Sequence, residues 1–195
     1  MLIFRNNVLN KEMVFIHIPK NSGKFIRNKI KNDKNNTCIK DFWGIEKNAD
    51  IAHIPYLRRN NYIEESSKYT YFAYCRNPYY RIISAFFYLN KGKQVSDFRR
   101  FCKDVLPKFN FSLDFYKEYI HYYPQYLFVC DTNLQISSNV TVTKIEDSES
   151  PKVYNLTEFM DKQCIKVINI VYQEDFKFFN YAMILTVMYD KNIRK

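Results

Sequence analysis

Glycine is scarce in this chain, with three residues in 195. No Pro, Gly and Ser stretch marks a linker and no segment repeats, which predicts one domain over residues 1–195. No uncharged apolar run approaches the roughly 18 residues a membrane span needs. The opening MLIFRNNVLNKEM lacks the sustained apolar stretch of a signal peptide. These absences predict a soluble, cytoplasmic protein without membrane insertion. Cys38, Cys75, Cys102, Cys130 and Cys164 are widely spaced and include no C-x-x-C pair. Neither a zinc site nor a disulfide framework is expected, and no metal is predicted.

Aromatic residues are plentiful, with 17 Tyr and 17 Phe, so the core and any ligand pocket are expected to be aromatic-rich. Lys and Arg exceed Asp and Glu by 30 to 20, a net charge of +10. Such a charge favours polyanionic partners: nucleic acid, acidic glycans or a multiply phosphorylated nucleotide. No zinc-finger or other nucleic-acid motif accompanies the scattered basic residues, so nucleic acid is not the predicted partner.

Residues 13–18 (MVFIHI) read as a buried strand, followed by a polar loop at 20–23 and a helix at 24–31 with Phe25, Ile26 and Ile30 on its apolar face. A second unit follows: a strand at 69–75, a turn at Arg76-Asn77-Pro78, and a helix at 79–89. The stretch 32–67 between them reads as irregular. Downstream, 95–106 and 112–122 look helical, 126–130 and 140–145 look like strands, 156–160 is a short helix, and 165–188 holds one or two helices. This alternation predicts an α/β fold of three layers with a central, mainly parallel sheet flanked by helices. Ligands bind such sheets beyond the C-terminal strand ends, where both strand–loop–helix units place their loops.

The first loop, Pro19-Lys20-Asn21-Ser22-Gly23-Lys24, enters a helix N-terminus, where free backbone N–H groups and the helix dipole favour an anion. Lys20 and Lys24 add charge, Asn21 and Ser22 add donors, and Gly23 is expected to let the backbone curl. A nucleotide-triphosphate loop needs G-x-x-x-x-G-K-[ST]. Here Ile18 stands where its first Gly would be and Phe25 where its hydroxyl would be, so a metal-dependent NTPase is not expected. In the second unit Arg76 offers a planar fork suited to phosphate, and the Ser84 hydroxyl follows two helical turns later.

Together the two loops carry a resemblance. IHIPKNSGKFI at 16–26 resembles the 5′-phosphosulfate loop of sulfotransferases that use 3′-phosphoadenosine-5′-phosphosulfate (PAPS), especially the carbohydrate branch, and AYCRNPYYRIISAFFY at 73–88 is similar to their 3′-phosphate element. His121-Tyr-Tyr-Pro-Gln125, Lys144-Ile-Glu-Asp147 and the stretch from Tyr172 to Tyr181 resemble three further family elements in the same order. Where the family has Thr or Ser at the end of the first loop, this chain has Lys24.

The resemblance implies a P-loop-like fold and PAPS as co-substrate, with no metal. It implies Lys20 at the bridging oxygen and sulfonate, Asn21, Ser22, Gly23 and Lys24 at the 5′-phosphate, and Arg76 and Ser84 at the 3′-phosphate. The acceptor is a hydroxyl, with carbohydrate favoured. His53, in Ala52-His53-Ile54-Pro55, matches the position of the family's catalytic histidine and is the expected general base, with Glu46 as a carboxylate alternative. His17 is expected to be structural, His121 to line the acceptor side, and Glu146 and Asp175 to pair with loop or helix ends. A non-catalytic protein that holds an acidic glycan or nucleotide in the same basic cleft is the competing reading.

Overall fold

A computed structural model describes residues 1–46, 49–115 and 117–185. The chain forms two compact units, one of Met1–Cys75 with Leu113–Pro151, the other of Arg76–Ser112 with the chain from Lys152 onward.

The first unit is built on a five-stranded sheet. Its strands are β1 (Leu2–Asn6), β2 (Lys11–Ile16), β3 (Asn36–Asp41), β6 (Thr70–Cys75) and β7 (Val140–Lys144), in the order β3-β1-β2-β6-β7. β2 pairs in parallel with β6, and β6 with β7, while β1 pairs antiparallel with both β2 and β3. The class is therefore α/β, and the sheet is mixed but mostly parallel in its core, where β2, β6 and β7 run together and β1 alone runs against its neighbours. The cause is local: a short turn after Asn6 folds β2 back on β1 in a hairpin, with Leu2 opposite Phe15 and Asn6 opposite Lys11. A second small ladder joins β4 (Ile45–Glu46) to β5 (Ala49–Asp50). β3, β4 and β5 thus occupy part of the stretch expected to be irregular.

Alternation along the central strands sends Leu2, Phe15, Phe72 and Tyr74 to one face. There they meet Ile26 and Ile30 of α1 (Gly23–Asn32), with Ile145 completing the cluster. Phe15 and Phe72 stand register-paired on neighbouring strands, with ring centroids 5.4 Å apart. Phe25 is 56% exposed, so it leaves the apolar face on which it was expected. The opposite sheet face carries Tyr71, whose ring meets Tyr56 edge-on at 4.9 Å and whose hydroxyl donates to the Ser66 carbonyl at 2.8 Å. This ties the 51–68 segment to the sheet.

Two expected elements are absent from this unit. Residues 126–130 do not form a strand; Gln125–Phe128 is a 3-10 turn opened by Pro124, and Cys130 joins Ile136 in an isolated bridge outside the sheet. A fully buried apolar run reads the same for a strand and for a buried turn, and proline at its entrance decides for the turn. The helix expected at 112–122 is a 3-10 segment, Lys117–Tyr122, broken at Tyr119 and preceded by Phe115 in the left-handed region.

The second unit is helical: α2 (Pro78–Leu89), α3 (Val95–Asp104), α4 (Leu156–Phe159), α5 (Lys162–Val171) and α6 (Gln173–Phe178). α2 begins where proline predicts, its entry closed by Asn77, whose side-chain oxygen accepts from the Tyr79 N–H. Phe86 packs on Phe98 and Phe101 of α3 at 5.4 and 5.1 Å, and Tyr79 packs on Phe176 of α6 at 5.0 Å. Arg81 and Asp175 are both fully buried in this unit, and the Asp175 carboxylate offsets part of the cost of burying the guanidinium. The end of the expected 165–188 helix, from 186, lies outside the described residues. The five cysteines are free thiols, Cys38 exposed and the others buried. Among the described residues no helix is long and apolar enough to cross a membrane.

Candidate functional site

The first loop leaves the end of β2 and curls into α1 through two residues in the left-handed region, Lys20 at φ 69 and Ser22 at φ 57. Gly23 does not supply the curl. It is buried as the first residue of α1, and a Cβ there would fall 1.8 Å from ring atoms of His17. The glycine is required for close approach of a side chain, not for backbone freedom. α1 has no side-chain cap and no acidic residue in its first turn, so the dipole and the first N–H groups stay available to an anion. Lys24 stands exposed in that turn.

Asn21 ties the loop to the sheet. Its side-chain amide is buried and donates to the Tyr74 carbonyl at 2.6 Å and to Gln125 Oε1 at 2.8 Å. It therefore fastens the loop to the end of β6 and to the residue closing the His121–Gln125 element.

The three histidines gather beside this loop. His17 lies 4.3 Å from His53 and His53 lies 5.3 Å from His121, centroid to centroid. Trp43, 56% exposed, stacks on His17 at 6.1 Å with 20° between planes, and the Arg27 guanidinium sits 5.1 Å from its ring. Arg27 is itself held by Asp41 and by the Phe42 carbonyl at 2.7 Å. Burial pushes His17 well below its ordinary range, with His53 adding to the effect.

His53 ends a 3-10 turn, Ile51–His53, opened by Asp50, whose side chain accepts from the Ala52 N–H. Its Nδ1 lies 2.8 Å from the His17 carbonyl oxygen. A carbonyl only accepts, so Nδ1 carries the proton and Nε2 keeps its lone pair. The Asp50 carboxylate stands 3.9 Å from Nε2, placed to stabilise the ring once protonated. Sequence reasoning passed over Asp50, although its position three residues before His53 on a turn was a visible signal. Burial lowers His53 to about 3, with His121 contributing. Glu46 is exposed at the end of β4. Among the described residues no group of three or more His, Cys, Asp or Glu could hold a metal.

In the second unit Arg76 is buried directly after β6. Its guanidinium donates to the Lys152 carbonyl and lies 6.0 Å from the Tyr154 ring. Ser84 is half-buried in the middle of α2.

Comparison with models of protein families, with curated proteins and with solved structures finds no match to this chain.

Two outcomes follow from this geometry. Gly23→Ala is expected to destabilise the fold by about 1–3 kcal/mol or more, because the ring it meets is buried and cannot swing away; urea denaturation measures it. His53, held near 3 in the fold against an ordinary value of 6.5, stays neutral where the unfolded chain takes up a proton. Its contribution to stability is complete above pH 6.5 and is lost as pH falls from there toward 3. Ring resonances of His53 without a midpoint between pH 5 and 8, and a urea midpoint that falls below pH 6.5, are the expected readings.

Proposed function

We propose that this protein is a sulfotransferase with the P-loop-like fold of that family, moving the sulfuryl group of PAPS to a hydroxyl of a carbohydrate. The observation that carries the reading is the pairing of an uncapped, cation-flanked helix N-terminus with a tautomerically fixed histidine held, through His17, against the same loop.

The residues present fit a phosphosulfate. Anionic oxygens would lie on the backbone N–H groups of Gly23 and its neighbours, with the Ser22 hydroxyl as a further donor and Lys24 supplying charge where the family uses a hydroxyl. PAPS supplies a sulfuryl group already joined to a good leaving oxygen. Sulfuryl transfer resembles phosphoryl transfer, in which positioning and charge stabilisation dominate.

Lys20 stabilises the charge that develops on the bridging oxygen as the bond from sulfur to that oxygen breaks and its electron pair departs with the nucleotide. His53 Nε2 takes the proton of the acceptor hydroxyl as the new oxygen–sulfur bond forms, and Asp50 steadies the resulting imidazolium. His17 positions His53 by accepting its Nδ1–H and, through the contact with Gly23, keeps that base against the loop. Arg76 and Ser84 hold the 3′-phosphate and so distinguish the donor from ADP-like nucleotides. The neutral state of His53 suits it to accept a proton. Its low affinity for one in the free protein is expected to rise when a bound anion and Asp50 face the ring together.

Calorimetric titration with 3′,5′-diphosphoadenosine and with ADP tests the donor site. Binding that needs the 3′-phosphate and collapses in Arg76→Ala is expected; equal binding of the two nucleotides would sink the assignment. With labelled PAPS and a panel of sugar acceptors, His53→Gln is expected to lower kcat by about 10²–10⁴-fold while donor affinity stays unchanged.

A further inference from the structure

The chain after β7 brings Lys152 to Arg76 and a second cation to the ring that Arg76 approaches. The Lys152 ammonium lies 4.9 Å from the centre of the Tyr154 ring, the same ring that the Arg76 guanidinium approaches at 6.0 Å. Arg76 also donates to the Lys152 backbone carbonyl, so the two residues are joined through main chain as well as through the ring. Tyr154 is held in turn: Tyr80 of α2 lies 6.5 Å from it at 37°, and Phe159 of α4 meets it edge-on at 5.5 Å. All of these residues belong to the second unit.

Lys152 is exposed, and among the described residues it forms no ion pair with a carboxylate. Two like charges on one aromatic ring repel, and the ring's attraction for an exposed cation is only about 0.5–1 kcal/mol. An anion placed where both cations reach it reverses the sign of that balance. A phosphate monoester suits the position better than a single carboxylate, because it carries about −1.5 to −2 at neutral pH and three acceptor oxygens. Arg presents a planar fork to such a group and Lys a point charge, so the two are complementary ligands and not duplicates.

We propose that Lys152, seated on Tyr154, is a second cationic ligand for the 3′-phosphate of the donor, a role that no sequence pattern in the chain pointed to. Tyr154 is a positioning residue: it keeps the ammonium from ranging over the surface and holds it beside Arg76. The inference rests on the donor reading above.

The test titrates wild type, Lys152→Ala, Lys152→Arg, Tyr154→Leu and Arg76→Ala with 3′,5′-diphosphoadenosine and with ADP at two salt concentrations. Lys152→Ala is expected to weaken 3′,5′-diphosphoadenosine by about 10- to 100-fold, the worth of a hydrogen bond to a charged group. ADP binding should move less than twofold, and the salt dependence for the 3′-phosphorylated nucleotide should become shallower. Lys152→Arg should restore most of the affinity, and Tyr154→Leu should fall between. Because Lys152 is exposed, its variants should keep the wild-type unfolding midpoint. Loss in Arg76→Ala with Lys152→Ala inside twofold of wild type would overturn the role of Lys152 and leave the donor reading standing. Wild type that binds both nucleotides equally would overturn both.

Discussion

One contact organises the proposed catalytic end of the first unit: the imidazole of His17 fills the space that a side chain at position 23 would need. From it, the strand that delivers the loop and the helix that receives it are locked at a fixed separation. The same ring then serves as the floor on which Trp43 stacks and the wall against which His53 leans. Its backbone carbonyl chooses the tautomer of His53. A histidine that burial holds toward its neutral form thus sets the shape of the loop and the tautomer of its neighbour.

Electrostatics in the two units follow different rules. Beside the first loop, buried imidazoles stay neutral because burial disfavours their charge, while the cations are either exposed, as Lys24 is, or tied down, as Arg27 is by Asp41. In the second unit, Arg81 is committed to the fold beside Asp175, while Arg76 and Lys152 share an aromatic ring. The basic excess of the chain is therefore not spread evenly in purpose: part of it neutralises buried acid, and part gathers on Tyr154.

How much of this could be read in advance depended on the range of the interaction. The two strand–loop–helix units were legible because Pro19, Gly23 and Asn77-Pro78 punctuate apolar runs of the right length. β1 was not, since Leu2, Ile3 and Phe4 form too short a run to distinguish an interior strand from any other apolar beginning. β3 carries mostly exposed residues and is a strand only because β1 offers it an edge. The expected backbone freedom of Gly23 gave way to close packing, and the anchoring of Asn21 went unseen, because their partners, His17 and Gln125, are fixed by packing that spacing cannot reveal. His53 came forward through its motif, whereas Trp43 and Lys152 belong to no motif, and only folding brings them to their rings.

The left-handed residues of the first loop carry a consequence for how the chain can change. Glycine relieves such backbone at almost no cost, yet Lys20 and Ser22 keep their side chains there, at a cost of about 1–2 kcal/mol each. Packing offsets that bend: Asn21 is tied to Tyr74 and Gln125, and Gly23 lies against the His17 ring. The backbone therefore carries a local cost at two points on the chain, on either side of the buried Asn21. Glycine at either position would relieve that cost and, in the same step, free the loop to leave the shape in which Ser22 leads into α1.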